Sequence, residues 1–126
     1  MNHYPKIQVS NGLTIANFSS PHAFTFSDGK ILPACDAERS KALMLTAVES
    51  TIDRGQWVDI KLVFEMTKPV WDEVKQMQAD ETIDIILVPL PVLEAMKNAC
   101  LPIGKCRVVR VADRIAKTIH FDRFCI

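Results

Sequence analysis

The stretch Thr82–Lys97 reads TIDIILVPLPVLEAMK and carries the clearest structural pattern in the chain. Its first half, Ile83–Val88, is a dense run of mostly β-branched residues stopped by Pro89. Such a run predicts a largely buried strand in the interior of a sheet. The second half predicts a short helix, with Pro91 just inside its start. A buried strand that leads directly into a helix indicates a domain of mixed α and β structure.

The N-terminal third of the chain predicts two β-hairpins. An Asn-Gly pair at 11–12 separates KIQVS from LTIANF, and an Asp-Gly pair at 28–29 separates AFTFS from KILP. Both pairs favour the positive φ angles of a two-residue type I′ turn. In the second hairpin we expect Phe26 to lie opposite Ile31, so that Phe24, Phe26 and Ile31 share one face.

The remaining segments complete a single predicted domain over residues 1–126. Apolar residues at helical spacing predict a helix over 36–53, and strict alternation predicts a strand over 58–66. A second helix is expected within 67–80, and a final hairpin has its loop near 112–116. The fold class is therefore α+β, with N-terminal hairpins, a mixed and largely antiparallel sheet and about three helices.

Composition excludes several classes of protein. The 126 residues are 48% hydrophobic and 24% charged, which is typical of a globular domain and not of a disordered chain. Lysine plus arginine equal aspartate plus glutamate at 15 each, so we expect no strong nucleic-acid binding. The first ten residues, MNHYPKIQVS, lack the apolar core of a secretory signal, and no apolar run is long enough to span a membrane.

The cysteine pattern argues against a metal site or a disulfide framework. No pair has the C-x-x-C spacing of a zinc or redox site, and no histidine lies near the closest pair. We expect no metal, no cofactor and reduced thiols in a cytoplasmic protein. The four cysteines are Cys35, Cys100, Cys106 and Cys125.

Cys35 and His22 form one candidate catalytic pair. Cys35 precedes the predicted helix start at Asp36, where backbone N–H groups and the helix dipole can lower a thiol pKa. His22 lies upstream at the entrance to the second hairpin, which could fold back and bring the imidazole to the thiol. Asp36 opposes a thiolate, and no glycine-rich turn flanks Cys35. We expect a buried structural thiol, with catalysis by the pair as the alternative.

His120 and Asp84 are two further polar residues in predicted strands. Strand alternation places His120 on one face with Asp122, a carboxylate that could raise the basicity of the imidazole. A solvated strand face explains the same pattern, and we favour it over catalysis. Asp84 interrupts an apolar strand and needs a partner there, so we expect it to pair with Arg107 or Arg110.

The last twenty residues are rich in arginine and suggest a second kind of site. Their guanidinium groups could contact the phosphates of a nucleotide-like anion. Alternation places Arg107 and Arg110 on opposite faces of a strand, so only a subset can converge. A solvated hairpin face explains the same charges. The candidate ligand-binding residues are Arg107, Arg110, Arg114, His120 and Arg123.

The segment Asn17–Phe24, NFSSPHAF, is followed by an Asp-Gly turn and an Ile-Leu-Pro strand. It resembles the Asn-x-Ser/Thr-Pro-His strand entrance of short phage and prophage proteins, although Phe18, Ser19 and Ser20 differ from the residues usual at these positions. The strand and helix at 83–97 resemble a later segment of the same proteins. The resemblance implies a small phage-type accessory protein in a bacterial cytosol and carries over no catalytic residue.

We therefore expect a small non-enzymatic binding protein that acts on a bacterial host protein. The first alternative is a binder, or sponge, of a small nucleotide-like anion, and the second is a small enzyme that depends on cysteine or histidine. Large apolar side chains near edges and termini also suggest a homo-oligomer, although they could instead cover the core of their own domain. These residues are Trp57, Trp71, Phe121, Phe124 and Ile126.

Overall fold

A computed structural model describes residues 4–126, which form nine strands and three helices. The predicted α+β class and the predicted number of helices are confirmed. None of the helices described is long and apolar enough to cross a membrane. The elements in chain order are β1 (Lys6–Gln8), β2 (Thr14–Asn17), β3 (Phe24–Phe26), β4 (Ile31–Leu32), α1 (Ala37–Ala42), β5 (Ala47–Asp53), β6 (Val58–Phe64), α2 (Lys68–Gln78), β7 (Ile85–Leu87), α3 (Leu90–Asn98), β8 (Cys106–Asp113) and β9 (Thr118–Cys125).

Seven strands form one mixed sheet in the order β1-β2-β7-β8-β9-β3-β4. The pairs β1–β2, β8–β9 and β3–β4 are antiparallel, whereas β2–β7, β7–β8 and β3–β9 are parallel. The sheet curls until the edge strand β4 lies against β1 and β2. The backbone N–H of Ser10 donates to the Asp28 carboxylate across this gap, at 2.8 Å. As predicted, β7 is an interior strand.

The curled sheet separates two hydrophobic cores. Ile86 and Val88 face the core beneath the helices, whereas Ile85 and Leu87 face the core inside the curl. Because successive strand residues point to opposite faces and both faces are covered, the segment needs apolar residues at every position. Three α2 side chains at helical spacing are buried in the core beneath the helices, namely Val70, Val74 and Met77.

The predicted helix over 36–53 is wrong in its second half. Asp36 caps α1 as expected, since its carboxylate accepts the backbone N–H of Arg39 at 2.7 Å, but this helix ends at Ala42. Residues 47–53 are instead β5, which pairs with β6 over seven consecutive residues. Val48 and Ile52 belong to a β-branched segment, and pairing along a complementary strand outweighs its helical spacing.

Both N-terminal hairpins are present, but their turns have three residues instead of two. The N–H of Val9 donates to the carbonyl of Leu13, and the N–H of Phe26 donates to that of Lys30. The Asp28 carboxylate accepts the N–H of Lys30 at 3.0 Å and so stabilises the longer turn.

The extra turn residue shifts the register of the second hairpin. Leu32 pairs with Phe24, and Ile31 pairs with Thr25. The expected pairing of Phe26 with Ile31 is therefore wrong, and Leu32 is the buried residue while the side chain of Ile31 is 56% exposed. A slip of one residue exchanges the two faces of a strand.

Strands β5 and β6 form a separate two-stranded sheet, which we call the arm (residues 47–64). Every residue from 46 to 62 is exposed. Within residues 4–126 the arm meets the domain at its base, where β6 contacts α3 and Phe64 packs against the helix-covered core.

Candidate functional site

The loop after β2 is held in place by a buried asparagine. The Asn17 side-chain amide donates to the carbonyls of Ser20 and Pro33, at 3.1 and 3.0 Å. Its side-chain oxygen accepts the N–H of Ser20 at 2.8 Å. An amide can serve donors and acceptors at once, so one buried side chain joins the loop to the segment that precedes α1.

A buried arginine anchors the same loop from the opposite side. Arg39 of α1 is 2% exposed, and its Nε donates to the carbonyl of Phe18 at 2.7 Å. Its Nη2 donates to Oε1 of the buried Glu73, on α2, at 2.9 Å. The guanidinium also lies 5.5 Å from the centre of the Tyr4 ring. These contacts tie α1, α2 and the loop into one unit.

A cavity opens beside this loop, at the carboxyl ends of the parallel strands β2 and β7. Its volume is about 370 Å³, within the range of small-molecule sites. Ligands of α/β sheets bind at this edge of parallel strands. The walls come from the loop after β2, the end of α1 and the β7–α3 junction, with contributions from β3 and β8. The lining residues are Ser19, Ser20, Pro21, Phe24, Ser40, Leu43, Met44, Leu45, Leu87, Val88, Pro89, Leu90, Pro91, Val92, Val108 and Val109.

The lining of the cavity is apolar apart from three serines. Of these, Ser40 already donates its hydroxyl to the carbonyl of Ser19, at 2.6 Å. The start of α3 adds few donors, because Pro89 and Pro91 have no N–H and the N–H of Val92 donates to the Pro89 carbonyl. The chemistry of the walls therefore suits an apolar molecule better than a phosphate.

Two exposed apolar side chains border the cavity. Met44, after α1, is 66% exposed, and Leu90, the first residue of α3, is 53% exposed. A flexible thioether can adapt to ligands of different shape. Large apolar groups at the rim extend the apolar surface beyond the cavity itself.

The candidate pair Cys35 and His22 lies near this loop but in different environments. Cys35 is buried, and its thiol donates to the carbonyl of Asn17 at 3.4 Å. Burial raises the pKa of the Cys35 thiol, nearby Arg39 opposes that shift, and adjacent Asp36 adds to it. His22 is exposed, and its backbone bonds with the Ser20 hydroxyl. A thiol that stays protonated is a weak nucleophile.

The candidate anion-binding residues are spread along the β8–β9 hairpin. Residues 120–123 of β9 lie between the partners of Val109 and Val111, so they face Arg110 across an irregular part of the ladder. Arg110, His120 and Arg123 therefore all lie in this irregular part of the ladder, where both arginines are exposed and His120 is half-buried.

Two of the five residues lie apart from that region. Arg107 donates from Nη1 to the carbonyls of Gly104 and Cys106, both at 2.7 Å, so it stabilises the turn before β8. Arg114 is exposed in the loop between β8 and β9.

The expected pairing of Asp84 with Arg107 or Arg110 is wrong. Asp84 is exposed just before β7, and its carboxylate accepts the backbone N–H of Thr14 at 2.8 Å. The backbone N–H of Asp84 in turn donates to the Thr14 carbonyl. The residue therefore aligns the starts of the parallel strands β2 and β7 through backbone bonds, which strand alternation alone does not indicate.

The residues that shape the cavity are not among those predicted from the sequence. Asn17 lies within the segment that resembles phage proteins, and an asparagine at the end of a strand often bonds nearby backbone groups. That signal was available for Asn17. No comparable signal existed for Arg39, because its partner Glu73 is distant in the chain. Comparison with protein-family models, with curated protein sequences and with solved structures found no match.

Proposed function

We propose that this protein is a non-enzymatic binding protein whose cavity takes a small, uncharged and mostly apolar molecule. The observation that supports the proposal most strongly is the cavity of about 370 Å³, whose lining is apolar except for three serines. Burial of apolar ligand surface supplies the affinity, and the hydroxyl of Ser19, a lining residue, can orient a single polar group on the ligand.

A titration with an apolar fluorophore tests this proposal. N-phenyl-1-naphthylamine carries no charge, and its emission rises when it leaves water. We expect saturable binding to the wild type and roughly tenfold weaker binding to Leu90→Glu, because about 1.4 kcal/mol of apolar contact is lost. Glutamate suits the first turn of a helix, so this change leaves α3 intact.

Ile115→Glu is the matched control for that titration. Ile115 is 96% exposed in the loop between β8 and β9 and does not line the cavity. The control should bind the fluorophore like the wild type. Equal affinity of the wild type and Leu90→Glu, or absence of binding to both, would exclude the cavity as the binding site.

The nucleotide-like anion is the alternative ligand. The observation in its favour is that Arg110, His120 and Arg123 all lie in one irregular part of the β8–β9 ladder. A thermal-shift series with mono-, di- and cyclic nucleotides separates the two ligands, because a ligand at about 100-fold its Kd adds about 2.7 kcal/mol of stability. A stabilisation that Arg110→Ala abolishes would favour the anion. We expect no shift with any nucleotide.

The free thiols and the resemblance support a proposal about the cellular setting. All four cysteines are free, and reduced thiols suit the bacterial cytoplasm, where we propose that the protein acts. A phage-type accessory role on a host protein stays a prediction from the segment Asn17–Phe24. The exposed apolar residues at the rim, Met44 and Leu90, would be a point of contact for such a protein.

The enzyme alternative is tested by thiol labelling. Iodoacetamide at neutral pH should label the exposed Cys100 and Cys125 and spare Cys35 and Cys106, which are buried and have raised pKa values. Rapid modification of Cys35 in the folded protein would favour the Cys35–His22 pair over the binding function.

A further inference from the structure

The arm exposes a row of apolar side chains on one face of β6. Val58, Ile60 and Leu62 are 54, 60 and 60% exposed. They point to the same face because alternate residues of a strand do so. A two-stranded hairpin is only marginally stable by itself, and exposed apolar rows mark interaction surfaces. The arm therefore needs something to cover it.

The same residues present the free backbone groups of β6. The N–H of Arg54 donates to the carbonyl of Trp57 at 2.8 Å, which sets the phase of the β5–β6 ladder. Antiparallel pairs alternate between bonded and non-bonded, so Asp59 and Lys61 bond towards β5. The N–H and C=O groups of Val58, Ile60 and Leu62 consequently point to the outer edge. In residues 4–126 no third strand joins that edge.

We propose that two copies of this chain pair through the outer edges of β6, antiparallel and about a two-fold axis at Ile60. In this register Ile60 lies opposite Ile60 of the second copy, and Val58 lies opposite Leu62. Asp59 of each copy then lies opposite Lys61 of the other copy, which gives two such pairs. The pairing joins two apolar rows on one face and forms two opposite-charge pairs on the other.

Charge selects this register among the symmetric ones. An axis at Asp59 places two aspartates opposite each other, and an axis at Lys61 places two lysines opposite each other; both arrangements are destabilising. The outer edge of β5 is less suitable, because an axis at Thr51 sets Glu49 against Asp53. Only the β6 edge about Ile60 aligns both apolar and charged residues with their complements.

The charged pair is available for a second copy. Asp59 accepts one bond at each carboxylate oxygen, from Arg54 at 3.0 Å and from Trp57 at 3.2 Å. A carboxylate has room for about four such bonds, so a lysine can still approach. The part of the chain that the structure describes contains no ion pair to Lys61.

A cleft at the base of the arm fits the tip of a second arm. It has a volume of about 330 Å³ and lies between β6 and α3, where Val63, Lys61 and Glu94 contribute to its walls. The proposed register sets Trp57 of the second copy opposite Val63. Trp57 is 59% exposed, and an indole ring suits a cleft with both apolar and polar walls.

Charge exchange on β6 tests the pairing by sedimentation velocity. The wild type should sediment at twice the chain mass of 14.2 kDa. Asp59→Lys and Lys61→Asp each place two like-charge pairs in the interface, so each should raise the dimer dissociation constant by roughly tenfold or more. Mixing the two variants restores both opposite-charge pairs, and the mixture should form a heterodimer.

Arg54→Ala is the control variant. It removes the ion pair that Arg54 makes with Asp59 inside one arm and leaves the pairs between arms intact, so the dimer should persist. A wild type that sediments at 14.2 kDa at every concentration would overturn the pairing. Single variants that dimerise like the wild type, or a mixture that stays monomeric, would also overturn it. None of these three results bears on the cavity, which lies on other elements.

Discussion

Two regions of the molecule, the loop beside the cavity and the arm, differ in how far their own chain satisfies their polar and apolar groups. In the loop, the backbone carbonyls of Phe18, Ser19 and Ser20 all accept hydrogen bonds from buried or half-buried partners. In the arm, apolar side chains are exposed, and within residues 4–126 no further strand pairs with the outer edge of β5 or of β6. The loop is therefore held in place by bonds within its own chain, whereas the arm leaves apolar side chains and backbone groups available to another molecule. The loop belongs to a preformed cavity, and the arm is the surface that we propose a second copy covers.

The largest expected effect is a loss of stability when the buried ion pair that anchors the loop, Arg39–Glu73, is broken. Arg39→Met leaves the Glu73 carboxylate buried without its partner, which should lower the free energy of unfolding by about 3–5 kcal/mol. Urea unfolding at neutral pH measures this change. Adding Glu73→Leu should recover much of the loss, since no buried charge then remains. A loss below about 1 kcal/mol for Arg39→Met, the size seen for surface pairs, would show that the pair does not anchor the loop.

The next effect concerns the asparagine that closes the loop. Asn17→Ala removes three hydrogen bonds and leaves the Pro33 carbonyl without this donor, so we expect a loss of about 1–3 kcal/mol. The same variant should also bind the fluorophore more weakly, because Ser19 and Ser20 lose their fixed position. Unchanged affinity in a destabilised Asn17→Ala protein would mean that the loop does not form the cavity wall.

A pH effect distinguishes the buried core from the exposed arm. Burial raises the pKa of the Cys106 thiol from its ordinary value of 9.0 to about 12. The folded protein therefore holds this proton more tightly than the unfolded chain does. The stabilisation is complete below pH 9 and is lost as the pH rises towards 12. Cys106→Ala should flatten the decline of unfolding free energy over that range, and an unchanged slope would contradict the assignment.

The smallest expected effect lies at the tip of the arm. Trp57→Ala should change the unfolding free energy of the monomer by less than about 0.5 kcal/mol, because the side chain is mostly exposed. The same variant should weaken self-association, because the indole ring is lost from the proposed cleft. Monomer unfolding at low protein concentration and sedimentation at high concentration give the two readings. A large loss of monomer stability would place Trp57 in the core of its own chain.

These two regions also differ in how well the sequence predicts them. The β7–α3 segment was predicted correctly because a continuous apolar run and two prolines leave few alternatives. The arm was predicted only in part. Its strand β6 alternates clearly, but β5 has apolar residues at helical spacing, and pairing with β6 decides its conformation. Register in the second hairpin depended on one aspartate side chain, Asp28, whose bond to Lys30 lengthens the turn.

The apolar residues that pointed to self-association divide in the same way. Trp57 and Ile126 are exposed, whereas Trp71, Phe121 and Phe124 pack against the two cores of their own chain. Composition alone cannot separate these groups, because an aromatic residue suits a core and an interface equally. The cavity likewise could not be predicted from the sequence, because its walls come from five separate parts of the chain.

Chemical-shift mapping by two-dimensional NMR tests whether the cavity is the binding site of the protein. The labelled protein is titrated with N-phenyl-1-naphthylamine and, separately, with a cyclic nucleotide. If the cavity binds apolar molecules, we expect saturable shifts from the fluorophore at residues 19–21, 43–45 and 87–92, and none from the nucleotide. Shifts confined to Arg110, His120 and Arg123 upon addition of the nucleotide, with a silent cavity, would contradict it.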